Sequence, residues 1–312
     1  MSLSRFRLLI QHLSFVALTY GGRFGLSLGP ALPCFSCPYV SGCGGYCYLM
    51  GLQGYIGFGL GTTDLVGYAG LKALGYFALF ILLVALLGKA WCGWVCPFGL
   101  VQDWLTAARK KLGWRESRIA PTTLDRLGWI KYALLAYLIL IPMLVAAGRL
   151  HPDFNLPFCN ICPAKALMPL FVGETKYLSL DTTNTITSTF SALLLIITGA
   201  MLVGMFIKDR FFCLFCPLLA LIHLLKPVNA LRLVKAPELC HGCGTCRRVC
   251  PMDIERVYQE KTKSDVETAE CLTCGRCVES CPADRALGLR WLGWKLIESS
   301  RRRAVGLKGG RP

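Results

Sequence analysis

Eighteen cysteines punctuate this chain of 312 residues, and most fall in short runs that end in Cys-Pro. One pattern occurs twice: Cys240-x2-Cys243-x2-Cys246-x3-Cys250-Pro251 and Cys271-x2-Cys274-x2-Cys277-x3-Cys281-Pro282. A four-iron cubane takes one thiolate per iron. A tight turn offers three, and the fourth comes from the companion run. The spacing therefore predicts one [4Fe-4S] cluster on Cys240, Cys243, Cys246 and Cys281, and another on Cys271, Cys274, Cys277 and Cys250. Zinc sites normally stop at four ligands, which argues against zinc for so dense a set. The chemistry implied is electron transfer.

Ten cysteines remain. Trp91-Cys92-x3-Cys96-Pro97 and Phe212-Cys213-x2-Cys216-Pro217 each follow an apolar stretch, and each precedes another, Phe98–Leu105 and Leu218–Leu225. Proline after the last cysteine suits a turn into a new helix, where its missing N–H costs little. Two thiolates from each of two neighbouring helices, Cys92, Cys96, Cys213 and Cys216, make a ligand set for a third cluster. Cys34-x2-Cys37-Pro38, Cys43-x3-Cys47 and Cys159-x2-Cys162-Pro163 complete the count. Every expected span is thus followed by a cysteine pair and proline, an internal repeat that suggests two metal layers. Cys34, Cys37, Cys159 and Cys162 follow the repeat as ligands of an outer cluster; Cys43 and Cys47 are alternatives, and six cysteines outside the cytoplasm also allow disulfides.

The elements that must carry these ligands are largely membrane helices. A mean hydropathy of +0.50 with 54% hydrophobic residues is too apolar for an ordinary soluble enzyme. Ala73–Trp91, Trp129–Ala147 and Thr189–Ile207 read as spans of about 20 apolar residues, and Leu8–Leu28 as a weaker first one, interrupted by Gln11, His12 and Arg23. No small-x-small site marks that segment as a cleaved signal. Lys and Arg are missing from Gly29–Leu71, number eight in Lys89–Lys131, three in Arg149–Ser188 and nineteen from Lys208 onward. Positive charge favours the cytoplasmic side, so both termini are expected inside, in a prokaryotic cytoplasmic membrane. The net charge of +16 is then topology, not nucleic-acid binding. The glycine-rich stretch Gly42–Gly75 is expected to turn back toward the membrane under cover of protein.

The predicted architecture is an α-helical membrane protein. A four-helix transmembrane domain with re-entrant or interfacial segments occupies 1–232, a small α+β two-cluster bacterial ferredoxin-like domain 233–293, and a basic tail 294–312, where Arg301, Arg302 and Arg303 could touch anionic lipid. Lys226 to Pro237 reads as a linker. The tail domain holds too little apolar sequence for a core of its own, so its clusters must hold it together.

The paired membrane motifs and the two ferredoxin runs resemble the membrane-bound quinol dehydrogenase subunits of the NapH type and the wider group of polyferredoxin-like membrane proteins. The second membrane motif is one residue shorter than that family's usual form, and the outer cysteines fall outside the resemblance. The resemblance implies quinol oxidation linked to iron–sulfur electron transfer, within a larger respiratory complex. His12, His151, His223 and Asp103, near expected helix ends, are candidates for handling the protons of quinol. No Cys-x-x-Cys-His, nucleotide-binding glycine motif or catalytic triad is present. Two readings follow: an electron-transfer subunit exchanging electrons between the quinone pool and partner subunits, or a transmembrane conduit and anchor without a quinone site. An assembly or thiol-chemistry role fits the dense ferredoxin runs poorly.

Overall fold

The computed structural model describes residues 2–27, 32, 36–59, 68–117, 120–302 and 304. Among these, three helices are long and apolar enough to cross a membrane. They lie within α3 (Tyr68–Leu87), α5 (Pro121–Ala146) and α8 (Thr185–Ile207); α1 (Leu3–Tyr20) and α2 (Tyr48–Gly59) precede α3, and α4 (Pro97–Lys111) lies between α3 and α5. At 1.5 Å per residue, the 18 residues Gly70–Leu87 reach about 27 Å, close to the ~30 Å hydrocarbon core. Leu71, Leu74, Phe77 and Leu82 are exposed along α3, as a lipid-facing stripe requires.

The expected first span takes a different form. Its helix runs Leu3–Tyr20, not Leu8–Leu28, and is too polar to count as a span by composition. The polar side chains are turned inward: Arg7 and Gln11 are buried, while Leu9, Leu13 and Val16 are exposed. Near its start, Ser4 N–H donates to Glu279 of the C-terminal module (3.0 Å). At its end, Leu18 O accepts from Gly44 N–H in the cysteine-rich loop (3.1 Å). So α1 connects the two cysteine layers through its polar face.

Cysteine followed by proline works as the sequence suggests. Cys96-Pro97, Cys162-Pro163 and Cys216-Pro217 each place proline at the first turn of a helix: α4, α7 (Pro163–Leu167) and α9 (Pro217–Leu224). A second short helix, α6 (Pro157–Ile161), precedes α7. Asn184 caps α8 reciprocally with Thr187. Within the glycine-rich stretch, α2 packs along α5; Tyr48 stacks flat on Phe80 of α3, with ring centroids 3.6 Å apart, and Leu49 is fully buried. Phe80 lies seven residues, or about 10 Å, from the α3 terminus at Leu87. The start of α2 therefore sits at membrane depth.

The C-terminal module has a three-stranded antiparallel sheet in the order β1 (Leu231–Lys235), β2 (Leu287–Trp291), β3 (Trp294–Glu298). Short helices α10 (Thr245–Arg248), α11 (Arg256–Gln259) and α12 (Arg276–Ser280) lie between β1 and β2. The stretch expected as a linker carries β1, so the module's sheet begins before Leu233. Nor does the module hang free. Buried Lys89 pairs with Glu267 (2.9 Å), Lys131 with Glu270 (2.8 Å), and Lys208 with both Asp253 (2.8 Å) and Glu116 (2.7 Å). Each pair joins a lysine within or just after a membrane helix to the module or, for Glu116, to the connection between α4 and α5. These lysines, counted in the sequence as topology, are also a clamp.

Candidate functional site: four groups of cysteine thiols

The cysteines gather into groups. Cys92, Cys96, Cys213 and Cys216 line one cavity, together with Phe98, Gln102, Phe212, Leu218, Leu219 and Leu272. This is the set expected for the inner membrane site. A second cavity is lined by Cys37, Cys47, Cys159 and Cys162, with Phe158 and Lys165. Of the expected outer set, Cys37, Cys159 and Cys162 line this cavity, and Cys47, one of the alternatives, faces it with them. Cys34 lies outside the described residues. Cys43 points elsewhere, its thiol donating to Gly45 O (3.2 Å). A third cavity is lined by Cys250, Cys271, Cys274 and Cys277, and also by Cys246 of the other expected set. Of the remaining set, Cys240 and Cys243 are exposed, Cys246 is half-buried and Cys281 is buried.

The inner and outer membrane sites are built alike, in a way the cysteine spacing alone did not reveal. Gln102 lies six residues after Cys96, and Gln53 six residues after Cys47. Gln102 Oε1 accepts from Phe212 N–H (3.1 Å), and its Nε2 donates to Cys213 Sγ (3.6 Å) and Phe98 O (3.5 Å). Gln53 Oε1 accepts from Phe158 N–H (3.1 Å), and its Nε2 donates to Cys159 Sγ (3.4 Å) and Leu49 O (2.9 Å). The repeat thus reads Cys-Gly-x2-Cys-x5-Gln, then Phe-Cys-x2-Cys-Pro, once in each layer. In sequence Cys43 matches Cys92; in space Cys37 takes that place at the cavity.

The donor sets fit an iron–sulfur group. Each of the three cavities, at the outer, module and inner sites, is lined by at least four cysteines. Their walls are mostly sulfur and carbon. Among the described residues, no three of His, Cys, Asp and Glu close on a single metal ion. The thiols line shared cavities instead, and every described cysteine is a free thiol. In the module, burial above all, then Glu267, pushes the Cys271 thiol up to about 12; burial and then Cys274 push Cys250 up to about 11. A cationic iron core, which binds the deprotonated form, is what would make such thiols thiolates.

Positive charge surrounds the inner site and its junction with the module. Arg210, buried, forms a two-pronged pair with Asp103 (3.1 and 2.5 Å) and donates to Cys92 O (3.4 Å). Arg276 approaches the same carboxylate at 3.6 Å, Gln11 Nε2 donates to it (3.2 Å), and buried Arg7 is within its electrostatic reach. Three guanidiniums around one buried carboxylate leave net positive charge, which needs a further anion nearby. A four-thiolate cluster is such an anion. Asp103, a candidate proton carrier in the sequence, is instead held as a carboxylate by arginines. His12 is exposed and its Nδ1 lies 2.7 Å from Leu8 O, His151 is exposed on Asp153, and His223 Nδ1 has no hydrogen-bond partner among the described residues.

The groups adjoin one another. Leu272, between Cys271 and Cys274, lines both the module cavity and the inner one. Trp94, between Cys92 and Cys96, donates its indole N–H to Thr273 O (3.1 Å). Farther in, Cys47 lies within electrostatic reach of Cys96.

Comparison with known proteins agrees with this geometry. A family model described as a 4Fe-4S binding domain matches residues 70–115 and 190–232, the two halves of the inner site. A model of a 4Fe-4S dicluster domain matches residues 232–282. The chain is a homologue of ferredoxin-type electron-transport proteins, and the resemblance read from its cysteines holds. It is 28% identical over 211 residues to YccM of Escherichia coli (strain K12), described as a candidate electron transport protein, covering 67% of this chain and 53% of that one. It is 29% identical over 214 residues to the ferredoxin-type protein NapH of Haemophilus influenzae, covering 65% and 63%. Forty-three residues are 46% identical to a component of the Na(+)-translocating ferredoxin:NAD(+) oxidoreductase complex of Acetobacterium woodii, covering 14% and 13%. The chain thus spans about half the length of YccM and under two thirds of NapH. No solved structure matches it.

Proposed function

We propose that the chain is a four-cluster membrane relay, the electron-transfer subunit of a larger redox complex that exchanges electrons with the quinone pool. The clusters would sit on Cys240, Cys243, Cys246 and Cys281; on Cys250, Cys271, Cys274 and Cys277; on Cys92, Cys96, Cys213 and Cys216; and on Cys37, Cys47, Cys159 and Cys162. A bound [4Fe-4S] group supplies one-electron chemistry. The chain's own residues bury it, neutralise it and set the spacing. The observation that carries the reading is continuity: one side chain, Leu272, walls both the module site and the inner site.

In this reading α1 is a fourth, polar-faced span, and both termini with the module are cytoplasmic. The exposed Cys240–Cys243 turn is where a soluble partner exchanges electrons. The depth of α2 supports an outer cluster that hangs inward toward Cys96, which removes the need for one hop across the bilayer. The quinone link is the part supplied by the family resemblance. Anaerobic iron and sulfide analysis should give sixteen irons per chain, four for each cubane. Eight would leave only the module's clusters and sink the membrane relay. Reduction of the clusters by a quinol in proteoliposomes separates this reading from a conduit without a quinone site.

A further inference from the structure

The C-terminal module carries an exposed apolar edge where a water-soluble domain should not. Leu292, Trp294 and Leu296, in the β2–β3 hairpin, are 65%, 77% and 57% exposed. The hairpin is fixed at the end of a membrane helix. Trp291 donates its indole N–H to Leu86 O in the last turn of α3 (2.8 Å). Leu292 N–H donates to Ala230 O (3.0 Å), while Ala230 N–H donates to Ala85 O (2.6 Å). The lipid-facing residues of α3, Leu79, Leu82 and Leu86, therefore run on into the hairpin.

Two further observations say what covers this edge. At the same end of the bundle, α8 has exposed Trp114 against its Phe206 (5.6 Å between ring centroids), and α5 has exposed Trp129 two residues from the clamp lysine Lys131. Tryptophan marks the membrane–water interface at helix ends. The indole of Trp91, four residues past α3, is turned back onto Leu83 O, and Trp294 lies in register with Trp291, which bonds the last turn of α3. The sheet also sets like charges side by side. Arg232 lies opposite Arg290, and Arg290 opposite Lys295, in direct cross-strand register. Like charges so placed destabilise a sheet unless an anion lies among them; Arg232 donates to the backbone carbonyls of Asn229 (3.0 Å) and Pro227 (2.9 Å), and Glu298 lies 3.2 Å from Lys295.

We propose that the β2–β3 hairpin is a membrane-interface anchor. Leu292, Trp294 and Leu296 lie at the boundary between headgroups and acyl chains, and Arg232, Arg290 and Lys295 meet anionic phospholipid headgroups. The long cationic side chains reach the phosphates while the apolar edge stays in contact with lipid. The anchor holds the iron–sulfur module flat against the bilayer and adds to the lysine clamp that fixes it to the inner site.

The test uses the full chain with a photoreactive benzoylphenylalanine in place of Trp294, an aromatic exchange at an exposed position. It is reconstituted in nanodiscs of phosphatidylethanolamine and phosphatidylglycerol, irradiated, and analysed by mass spectrometry; irradiation is repeated in native membranes. The same residue placed at Trp114 serves as the interface control. Covalent phospholipid adducts at position 294 are expected in both settings. An Arg290→Gln/Lys295→Gln background should lower the share of phosphatidylglycerol adducts at least twofold. A polypeptide adduct in native membranes instead of lipid makes the edge a subunit contact and overturns the proposal. So does the absence of lipid adducts at 294 when position 114 gives them.

Discussion

Gly93 offers the sharpest perturbation of the contact between module and membrane domain. It lies between Cys92 and Cys96, and its α-carbon faces the Cys271–Cys274 turn. An added Cβ would stand closer than 3.0 Å to Leu272 O and 3.3 Å from Cys274 Cα. Ordinary contact begins at 3.4 Å, so Gly93→Ala must part the two cysteine turns by more than 0.4 Å. Neither side yields easily, because both atoms belong to backbone that also anchors cluster ligands. Overpacking of this kind costs roughly 1–3 kcal/mol. The expected outcome is full iron content, a module that opens more readily in hydrogen exchange, and slower appearance of the inner-cluster signal when electrons enter at the exposed cluster, followed by freeze-quench EPR. Gly54→Ala is the control. Nothing lies within 4 Å of its added Cβ, and it sits in a helix, where alanine gains up to about 1 kcal/mol. A Gly93→Ala protein with unchanged module protection and an unchanged rate would show that the adjoining turns are not the electron path.

Other expectations follow from the same geometry. Cys47→Ser and Cys37→Ser should each cost about four irons per chain while Cys34→Ser keeps them all, measured by anaerobic iron analysis; loss of iron in Cys34→Ser would restore the ligand set read from the repeat. Gln102→Leu should lower the reduction potential of the inner cluster, and Gln53→Leu that of the outer one. The shift is roughly 40 mV, if about 1 kcal/mol of hydrogen bonding to sulfur is lost from the reduced state in a one-electron couple; potentiometric EPR titration reads it, and equal shifts at both sites in either variant would refute the pairing. Lys131→Met leaves Glu270 without its buried partner and should destabilise module docking by roughly 3–5 kcal/mol, with much of this recovered in Lys131→Met/Glu270→Leu. A double-mutant cycle on the protease sensitivity of the module tests that coupling.

What the sequence made legible was chemistry with a local signature. The ferredoxin runs, the Cys-Pro helix starts and the three apolar spans are each encoded within about 25 residues, so spacing and hydropathy suffice to find them. What it hid depends on partners far along the chain. Lys89, Lys131 and Lys208 look like orientation charges because their partners Glu267, Glu270 and Asp253 lie 45 or more positions away. The outer ligand set was ambiguous for the same reason. Whether Cys43 or Cys37 faces the cavity depends on how the loop folds onto α1, where Ser36 Oγ and Gly44 N–H both donate to Leu18 O. Gln53 and Gln102 carried a signal that could have been found. Each stands six residues after a cysteine in otherwise apolar sequence, and an amide buried in such surroundings must have partners. Two amides in the same register, each answering a Phe-Cys pair more than a hundred residues downstream, tie the outer site to the inner one more firmly than cysteine spacing does. Cysteine pairs serve zinc, disulfides and clusters alike. A glutamine that accepts from one backbone N–H and donates to one thiol is a second support specific to how the ligand is aimed, and its repetition means that both layers were built to hold their sulfur atoms in the same way.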